Sequence, residues 1–565
     1  MTQYTATIID TTGIQPYIFN SNRLRENIGA SYLVDAVTKL WVRESLQKLL
    51  GKHFYFPDED EDKYDNQPYI ENGNLMAEVV YAGGGNAVII FQSHNDAVSF
   101  TKILSKRVLE KAPGLNLVVA HKYFDWEVDR LRDVIDDLIG KELDIKKQQR
   151  IPSAPLLGLG VTATCNSTQL PAIDKSDEFG SPKEDSYFVS REVKYKLKSV
   201  DLANKKLKEQ LKVDTSKYDF PLRGDDLGRT KDESSYVAVV HADGNSMGYR
   251  FKKHCENISD NRKYIIETRK LSWSVNKIGI EALKTVVNVI INSITYHPDG
   301  AFIQSKDSKG NSIGKIFLKE DKGKIYLPFR PLVYGGDDVT FICDGRLGLT
   351  LAALFLQEFQ KEAADEQILT ACAGISIVKS HYPFARAYAL SESLCGNAKK
   401  IVREAKEKNQ PEFSVLDWHI AASGLIGTLS EIREREYQIK VDKSNKNLAM
   451  RPLRLKGDDG QWQNWQDFET VITEFITGEH WQGKRNKVMR LREVLRQGSE
   501  EATKQFLKTY RLLSDLPTFS KASNSDALKI EGWTDGDGDT PERICGYFDA
   551  IEAMEFYFPL SGVNQ

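Results

Sequence analysis

The chain has 565 residues, enough for roughly three to four domains at ~150 residues each. Apolar residues at 41% and charged residues at 28% are ordinary globular composition and exclude wholesale disorder. Lys and Arg (77) nearly balance Asp and Glu (80), so the net charge of -3 excludes a global pull on nucleic acid or an anionic membrane and leaves any polyanion to a local patch.

At the N-terminus, MTQYTATIID has no basic flank ahead of an apolar core, and no stretch reaches the ~20 apolar residues of a membrane span. A cytoplasmic protein with no membrane contact is expected. YTATIID (4–10) reads as a strand, residues 21–50 carry helical periodicity, and AEVVYAGGGNAVIIFQ (77–92) reads as two strands meeting at a glycine turn. A helix over 97–109 and the strand LNLVVAH (115–121) complete a β-α-β-β-α-β order. Residues 126–235 mix a charged helix, the loop IPSAPLLGLGVTATCNSTQLPAI, a polar stretch and a Lys-rich helix near 191–212, which predicts a helical connector domain.

From residue 236 the first order recurs: the strand YVAVVHA (236–242), a long helix over 260–295, the hairpin PLVYGGDDVTFIC (331–343), the helix LGLTLAALFLQEFQ (347–360), the strand LTACAGISIV (369–378) and a helix over 383–408. The expected fold class is therefore α+β: two ferredoxin-like palm domains, 1–125 and 236–408, around a helical connector domain at 126–235 and ahead of a mainly helical C-terminal domain at 409–565. Residues 440–466, where KSNKN and KGDDGQWQNW bracket RPLRL, read as a linker. Six scattered cysteines, Cys165, Cys255, Cys343, Cys372, Cys395 and Cys545, contain no CxxC pair, so neither a disulfide framework nor a zinc site is expected.

The chemistry concentrates in YGGDDVTF (334–341). Gly335 and Gly336 permit a tight turn with positive φ and set Asp337 and Asp338 at a hairpin tip, while the strand YVAVVHA delivers Asp243 at its end; in a split βαβ sheet these two strands are neighbours. Two carboxylates ~4 Å apart repel by roughly 4 kcal/mol at an effective dielectric near 20, so such a cluster takes up a proton or binds a cation. A hard divalent cation, Mg²⁺ or Mn²⁺, joins carboxylate oxygens to substrate phosphates and suits nucleotidyl transfer. The loop GNSMG (244–248) after Asp243 leads toward a helix whose N–H groups would face a triphosphate, making Asn245, Ser246, Met247 and Gly248 nucleotide-contact candidates; Lys399 and Lys400 in CGNAKK are phosphate candidates.

These residues resemble the Cas ten family, the large palm-domain subunit of type III CRISPR effector complexes. The likeness runs through GIQPYIFNSNRLRENIGASYLV (13–34), VVHADGNSMG (239–248), YGGDDVTF, the segment 373–400 and the C-terminal helices. It implies oligoadenylate synthesis from ATP, with Asp243, Asp337 and Asp338 as catalytic metal ligands, the Gly244 carbonyl as a further ligand, and Gly335 and Gly336 admitting the nucleotide. It also implies guide and target RNA and other effector subunits as partners, in antiviral defence. Asn245 stands where the family often has a second aspartate, so that position offers a neutral group. The first copy keeps Asp10 at its strand end but carries GGGN at 83–86, which removes both hairpin carboxylates and leaves a second nucleotide site or a structural role open. No adjacent His-Asp dipeptide occurs, which predicts a form without the HD nuclease domain, and Cys165 alone predicts no zinc.

Two other classes compete with the cyclase reading: a nucleotide- and RNA-binding scaffold without turnover, and a diguanylate or mononucleotide cyclase, which ranks third because the fourth motif position is Asp. DGDGD (535–539) is a poor calcium loop, with Thr540 and Gly546 at the positions that need Gly and Glu; Thr540 and Pro541 are expected to cap a helix. Lys484, Arg485, Lys487, Arg490, Arg492 and Arg496 lie on one helix and suit RNA phosphates or a solvated face; Arg23 and Arg25 share that ambiguity. His241 and His381 read as core or rim residues.

Overall fold

A computed structural model describes residues 3–57, 69–149, 158–227, 235–306, 310, 312–421, 427–441, 444–511, 516–536 and 542–560. In the first copy, β1 (Gln3–Thr12) leads to α1 (Leu24–Thr38) and α2 (Leu40–Leu50). β2 (Phe54–Tyr55), β3 (Ala77–Gly83), β4 (Asn86–Phe91), α3 (His94–Lys111) and β5 (Asn116–Asp125) complete a five-stranded sheet of order β2-β3-β4-β1-β5. Strand alternation sends Ile8, Val88 and Ile90 to one face and Ile9, Ile89 and Phe91 to the other, and each face has its own core. That is why these strands read as unbroken apolar runs.

One of those faces is covered by Leu131, Val134, Ile135, Leu138 and Leu143, the last opening α4 (Leu143–Gln149). The segment expected to begin a connector is thus a second cover for the first sheet, drawn there by its apolar stripe. The Lys-rich segment is two helices, α5 (Arg191–Lys198) and α6 (Val200–Gln210), bent at Ser199. They lie on α1, where Gly29 admits the Lys196 backbone so closely that a Cβ would meet its carbonyl oxygen.

The second copy runs β6 (Tyr236–Gly244), α7 (Met247–His254), α8 (Asn261–Asn292), β7 (Phe329–Gly335), β8 (Asp338–Asp344), α9 (Gly348–Phe359), β9 (Ala371–Lys379) and α10 (Phe384–Glu407). A small sheet of Ile294–Thr295, Phe302–Lys306 and Ser312–Phe317 is inserted before β7. Val237, Val239, Ile342 and Val378 turn one face of this second sheet into a core shared with Ile28, Leu33 and Val37 of α1, so the two palms pack through that helix. Phe19 stacks on Tyr388 of α10 across the same seam, with ring centroids 3.8 Å apart.

The second sheet runs past the expected boundary at 408. β10 (Val415–Ala421) lies parallel to β9, and β11 (Leu453–Arg454) pairs with β10, giving the order β7-β8-β6-β9-β10-β11. Residues 440–466 are therefore no linker. Met450, Leu453 and Leu455 are core residues, and Arg451 is buried with its guanidinium 2.7 Å from Asp549. The tail is not wholly helical either: Gln438–Val441, Ser444–Asn447, Trp533–Asp535 and Arg543–Cys545 form a four-stranded sheet. The helix expected from Thr540 and Pro541, which lie outside the described residues, is replaced by that strand and starts only at α12 (Phe548–Ala553).

Candidate active site

Antiparallel pairing of β6 with β8 sets Asp243 directly opposite Asp338, and β7 pairs with β8 up to Gly335 opposite Asp338. Gly335 and Gly336 make the turn at φ 147° and 77°, a backbone that L side chains rarely adopt. Asp337, next in the turn, folds back on β6: its carbonyl accepts the Gly244 N–H at 3.2 Å. A Cβ on Gly244 would lie 2.7 Å from the Asp337 Cβ and 2.9 Å from Met247 Cγ, so the close approach of the two carboxylate-bearing segments depends on glycine there.

The electrostatics follow from this crowding. Burial, then the Asp243 charge, pushes the Asp337 carboxyl up to about 6 and Asp338 to about 7. Asp338 Oδ1 is buried without a hydrogen-bond partner among the described residues, although the side chain as a whole is 48% exposed. His241 Nδ1 lies 3.5 Å from that oxygen and 3.1 Å from Thr340 Oγ1; burial lowers its pKa, so it faces Asp338 as a neutral ring. Lys399, from α10, donates to Asp243 Oδ2 at 2.5 Å and to the Gly244 carbonyl at 3.1 Å. Burial opposes its charge, but Asp243 more than offsets that and raises its pKa.

Asp243, Asp337, Asp338 and the Gly244 carbonyl offer oxygen donors around the hairpin tip, with Asp338 Oδ1 lacking a hydrogen-bond partner among the described residues and Asp243 paired with the Lys399 ammonium. That chemistry fits a hard divalent ion. Among the described residues no three His, Cys, Asp or Glu side chains form a group arranged to hold a metal, and the Lys399 ammonium engages Asp243 and Gly244. A cavity of about 540 Å³ lies at the far end of the same strands, between Tyr236, Asp344, Arg346, Trp481 and Phe556, away from the hairpin tip.

Other expected site residues go elsewhere. Asn245 turns inward: its Nδ2 donates to Thr370 Oγ1 at 3.0 Å and the Phe413 carbonyl at 3.1 Å, and its Oδ1 accepts from Cys372 at 3.3 Å. Its amide holds β6 to its neighbours. The Met247 side chain belongs to the core, which leaves only its backbone to face a nucleotide. Ser246, at φ 51°, caps no helix N–H and accepts from Lys406 at 3.1 Å, while Gly248 and Lys400 are exposed. Sequence reading passed over Asn276 of α8, whose Oδ1 accepts the Gly336 N–H at 3.1 Å; an Asn beside the buried Val275, Ile278 and Gly279 was the available signal.

The basic candidates are used within the chain. Arg23 lies 3.6 Å from the Tyr187 ring centroid, and Arg25 donates to the Phe179 and Gly180 carbonyls. On α11 (Arg485–Leu495), Arg485 pairs with Glu555, Arg490 with the Tyr510 hydroxyl and Arg492 with Glu493, while Lys487 and Arg496 lie over Tyr510 and Phe548. All six cysteines are free and buried. Among the described residues no helix is long and apolar enough to cross a membrane.

Residues 236–410 match the model of the Cas10/Cmr2 second palm domain. A Csm1–Csm4 cassette in complex with pppApA aligns over 99% of this chain and 70% of that one, at 13% identity and a TM-score of 0.50. Csm1 of T. onnurineus aligns over the same shares at 13% identity and a TM-score of 0.51. At this identity the likeness carries the fold. Comparison with curated proteins finds no match. The chain thus carries a second palm domain of the Cas10/Cmr2 type within an α+β fold shared with Csm1, and the resemblance read from its motifs holds.

Proposed function

We propose that the chain is a divalent-metal-dependent nucleotidyltransferase that joins ATP units into a cyclic or linear oligoadenylate in CRISPR-linked antiviral defence. The observation that carries this reading is the β6–β8 register, which faces Asp243 with Asp338 while Asp337 folds over Gly244. In this reading Asp243, Asp337, Asp338 and the Gly244 carbonyl hold Mg²⁺ or Mn²⁺, which supplies charge neutralisation and an activated hydroxyl. The glycine turn leaves room for a nucleotide beside the carboxylates. With those donors turned to a metal, Lys399 would be free to steady the triphosphate, and the buried ring of His241 would keep water from the back of Asp338. A 3′-hydroxyl oxygen bonds to the α-phosphorus as the bond to the pyrophosphate oxygen breaks, and the hydroxyl proton leaves to solvent.

The Csm1–Csm4 cassette with pppApA supports an oligoadenylate product and a neighbouring CRISPR subunit as partner, at the level of fold. Guide and target RNA and a cytoplasmic setting complete the reading. A nucleotide-binding scaffold without turnover is the second reading, favoured by the Lys399 grip on two of the metal donors. Labelled ATP with Mn²⁺ separates the two: the enzyme reading expects a product lost in the Asp337→Ala, Asp338→Ala double variant. Binding of ATP with no product under any RNA condition leaves the scaffold.

A further inference from the structure

α8 is 32 residues and about 48 Å long, and one face of it grips both halves of the molecule. Near its start, Asn261 accepts the Leu131 N–H at 2.7 Å and donates to the Trp126 and Asp129 carbonyls. Arg262 donates to both oxygens of Glu78 on β3, at 2.6 and 2.8 Å, and Arg269 donates to Glu78 Oε1 at 2.8 Å. Glu78 has no exposed surface, so this shared carboxylate is a fully desolvated clamp between α8 and the first palm. Breaking it would leave a buried guanidinium uncompensated, which is why the helix has little freedom to slide.

Seven residues beyond Arg269 stands Asn276. Positions 262, 269 and 276 are two turns apart each and share a helix face with only a slow drift. Asn276 Oδ1 accepts the Gly336 N–H, and one turn later Gly279 lies so close to the hairpin that a Cβ there would stand 2.7 Å from the Gly336 carbonyl oxygen. Both backbone polar groups of Gly336 therefore rest on α8. The turn has need of such a seat: two adjacent glycines carry no side chains to pack, and the ladder between β7 and β8 ends at Gly335 and Asp338.

We propose that Asn276 is a positioning residue: with Gly279 it seats the Gly335–Gly336 turn on a helix clamped to the first palm, and so fixes where Asp337 and Asp338 stand. In its catalytic consequence this rests on the nucleotidyl-transfer reading; in its structural content it does not. The test has two readouts on full-length protein. Amide exchange of the peptide containing Gly336, measured without metal or nucleotide, is expected to quicken about tenfold in Asn276→Ala, the size of one lost hydrogen bond. It is expected to stay near wild type in Asn276→Asp, which keeps an acceptor oxygen. Turnover of ATP is expected to fall 10- to 100-fold in kcat with KM changed less than about threefold, the pattern of a displaced reacting group.

Exchange within twofold of wild type in Asn276→Ala, or equal quickening in Asn276→Asp, overturns the proposal. If wild-type protein makes no product, the nucleotidyl-transfer reading fails while exchange still decides the seat. Should Asn276→Ala not fold, Gly279→Ala keeps the acceptor but pushes on the Gly336 carbonyl; a kcat loss with unchanged Tm supports the seat, and unchanged kcat and exchange overturn it.

Discussion

The two palms share a central strand order and carry opposite equipment. In both, the central order is hairpin, first strand, last strand: β3-β4-β1-β5 and β7-β8-β6-β9. Both hairpins carry a register shift in their first strand, between Val79 and Tyr81 and between Pro331 and Val333. Asp10 faces Asn86 as Asp243 faces Asp338, and the residue after each strand-end aspartate bonds to the turn, Thr11 N–H to Gly85 and Gly244 N–H to Asp337. Each aspartate even meets a lysine from beyond the last strand, Lys147 at 2.9 Å and Lys399 at 2.5 Å. What differs is the filling of one corner. A Cβ on Gly85 would stand 2.3 Å from Ile14 Cδ1 and 2.8 Å from Thr11 Oγ1, so apolar packing occupies the space that the Asp337 side chain takes in the second palm. The comparison teaches that the fold supplies the meeting point twice, and that two side-chain choices, Gly85 against Asp337 and Asn86 against Asp338, decide how much charge it carries.

The largest expected effect breaks the comparison at its charged end. Replacing Asp337 and Asp338 together by Ala should lower metal-dependent product formation by about 10³-fold or more, several kcal/mol of transition-state stabilisation, measured with labelled ATP and Mn²⁺. Asp10→Ala should cost under about threefold in the same assay; a loss as deep as that of Asp243→Ala would show that the halves are functionally alike. Next, Gly85→Asp should fail to create a second site and should destabilise the chain by about 2 kcal/mol through collision with Ile14 and a positive φ of 85°, read as a lowered denaturant midpoint. Combining it with Ile14→Ala should recover part of that loss.

Lys399→Met should tighten Mn²⁺ binding by about tenfold, because it frees two oxygen donors from an ammonium that competes for them, while slowing turnover. Titration followed by electron paramagnetic resonance checks it; weaker binding would mean that Lys399 organises the donors and does not compete. The smallest effect is on pH. The Asp337 and Asp338 carboxyls titrate near 6 and 7 in the folded chain, above their unfolded value, so the folded state holds protons that the unfolded state has released. Stability from this site is present below about pH 4 and lost as pH rises through 6 to 7. Asp337→Asn with Asp338→Asn should therefore raise Tm of the metal-free protein by about 2 °C at pH 8 and leave it unchanged at pH 4. Mn²⁺ affinity of the wild type should climb between pH 6 and 7, since the metal must displace those protons.

Much of this architecture was legible along the chain. YVAVVHA and PLVYGGDDVTFIC show their strands because both faces are buried and the runs stay apolar, and the helix over 261–292 shows its period over 32 residues. Three readings missed long-range partners for one reason, that local composition is silent about distant segments. RPLRL looks like a polar linker until Arg451 finds Asp549 almost a hundred residues later. Residues 126–149 look like a connector until their apolar stripe finds the first sheet. Asn245 looks like a loop ligand, yet Thr370, Cys372 and Phe413 consume its amide.

Short-range chemistry is enough to specify a tight turn, two carboxylates after it and a strand-end aspartate 94 residues before the first of them, because glycine conformation and strand alternation act over a few residues. Which groups those carboxylates meet is a matter of long-range pairing. The sheet register that faces Asp243 with Asp338, the Lys399 ammonium on the same oxygens, and the Asn276 seat under Gly336 all join segments from separate elements. The same long-range packing separates the two palms, since Ile14 fills in one half the corner that the Asp337 side chain takes in the other.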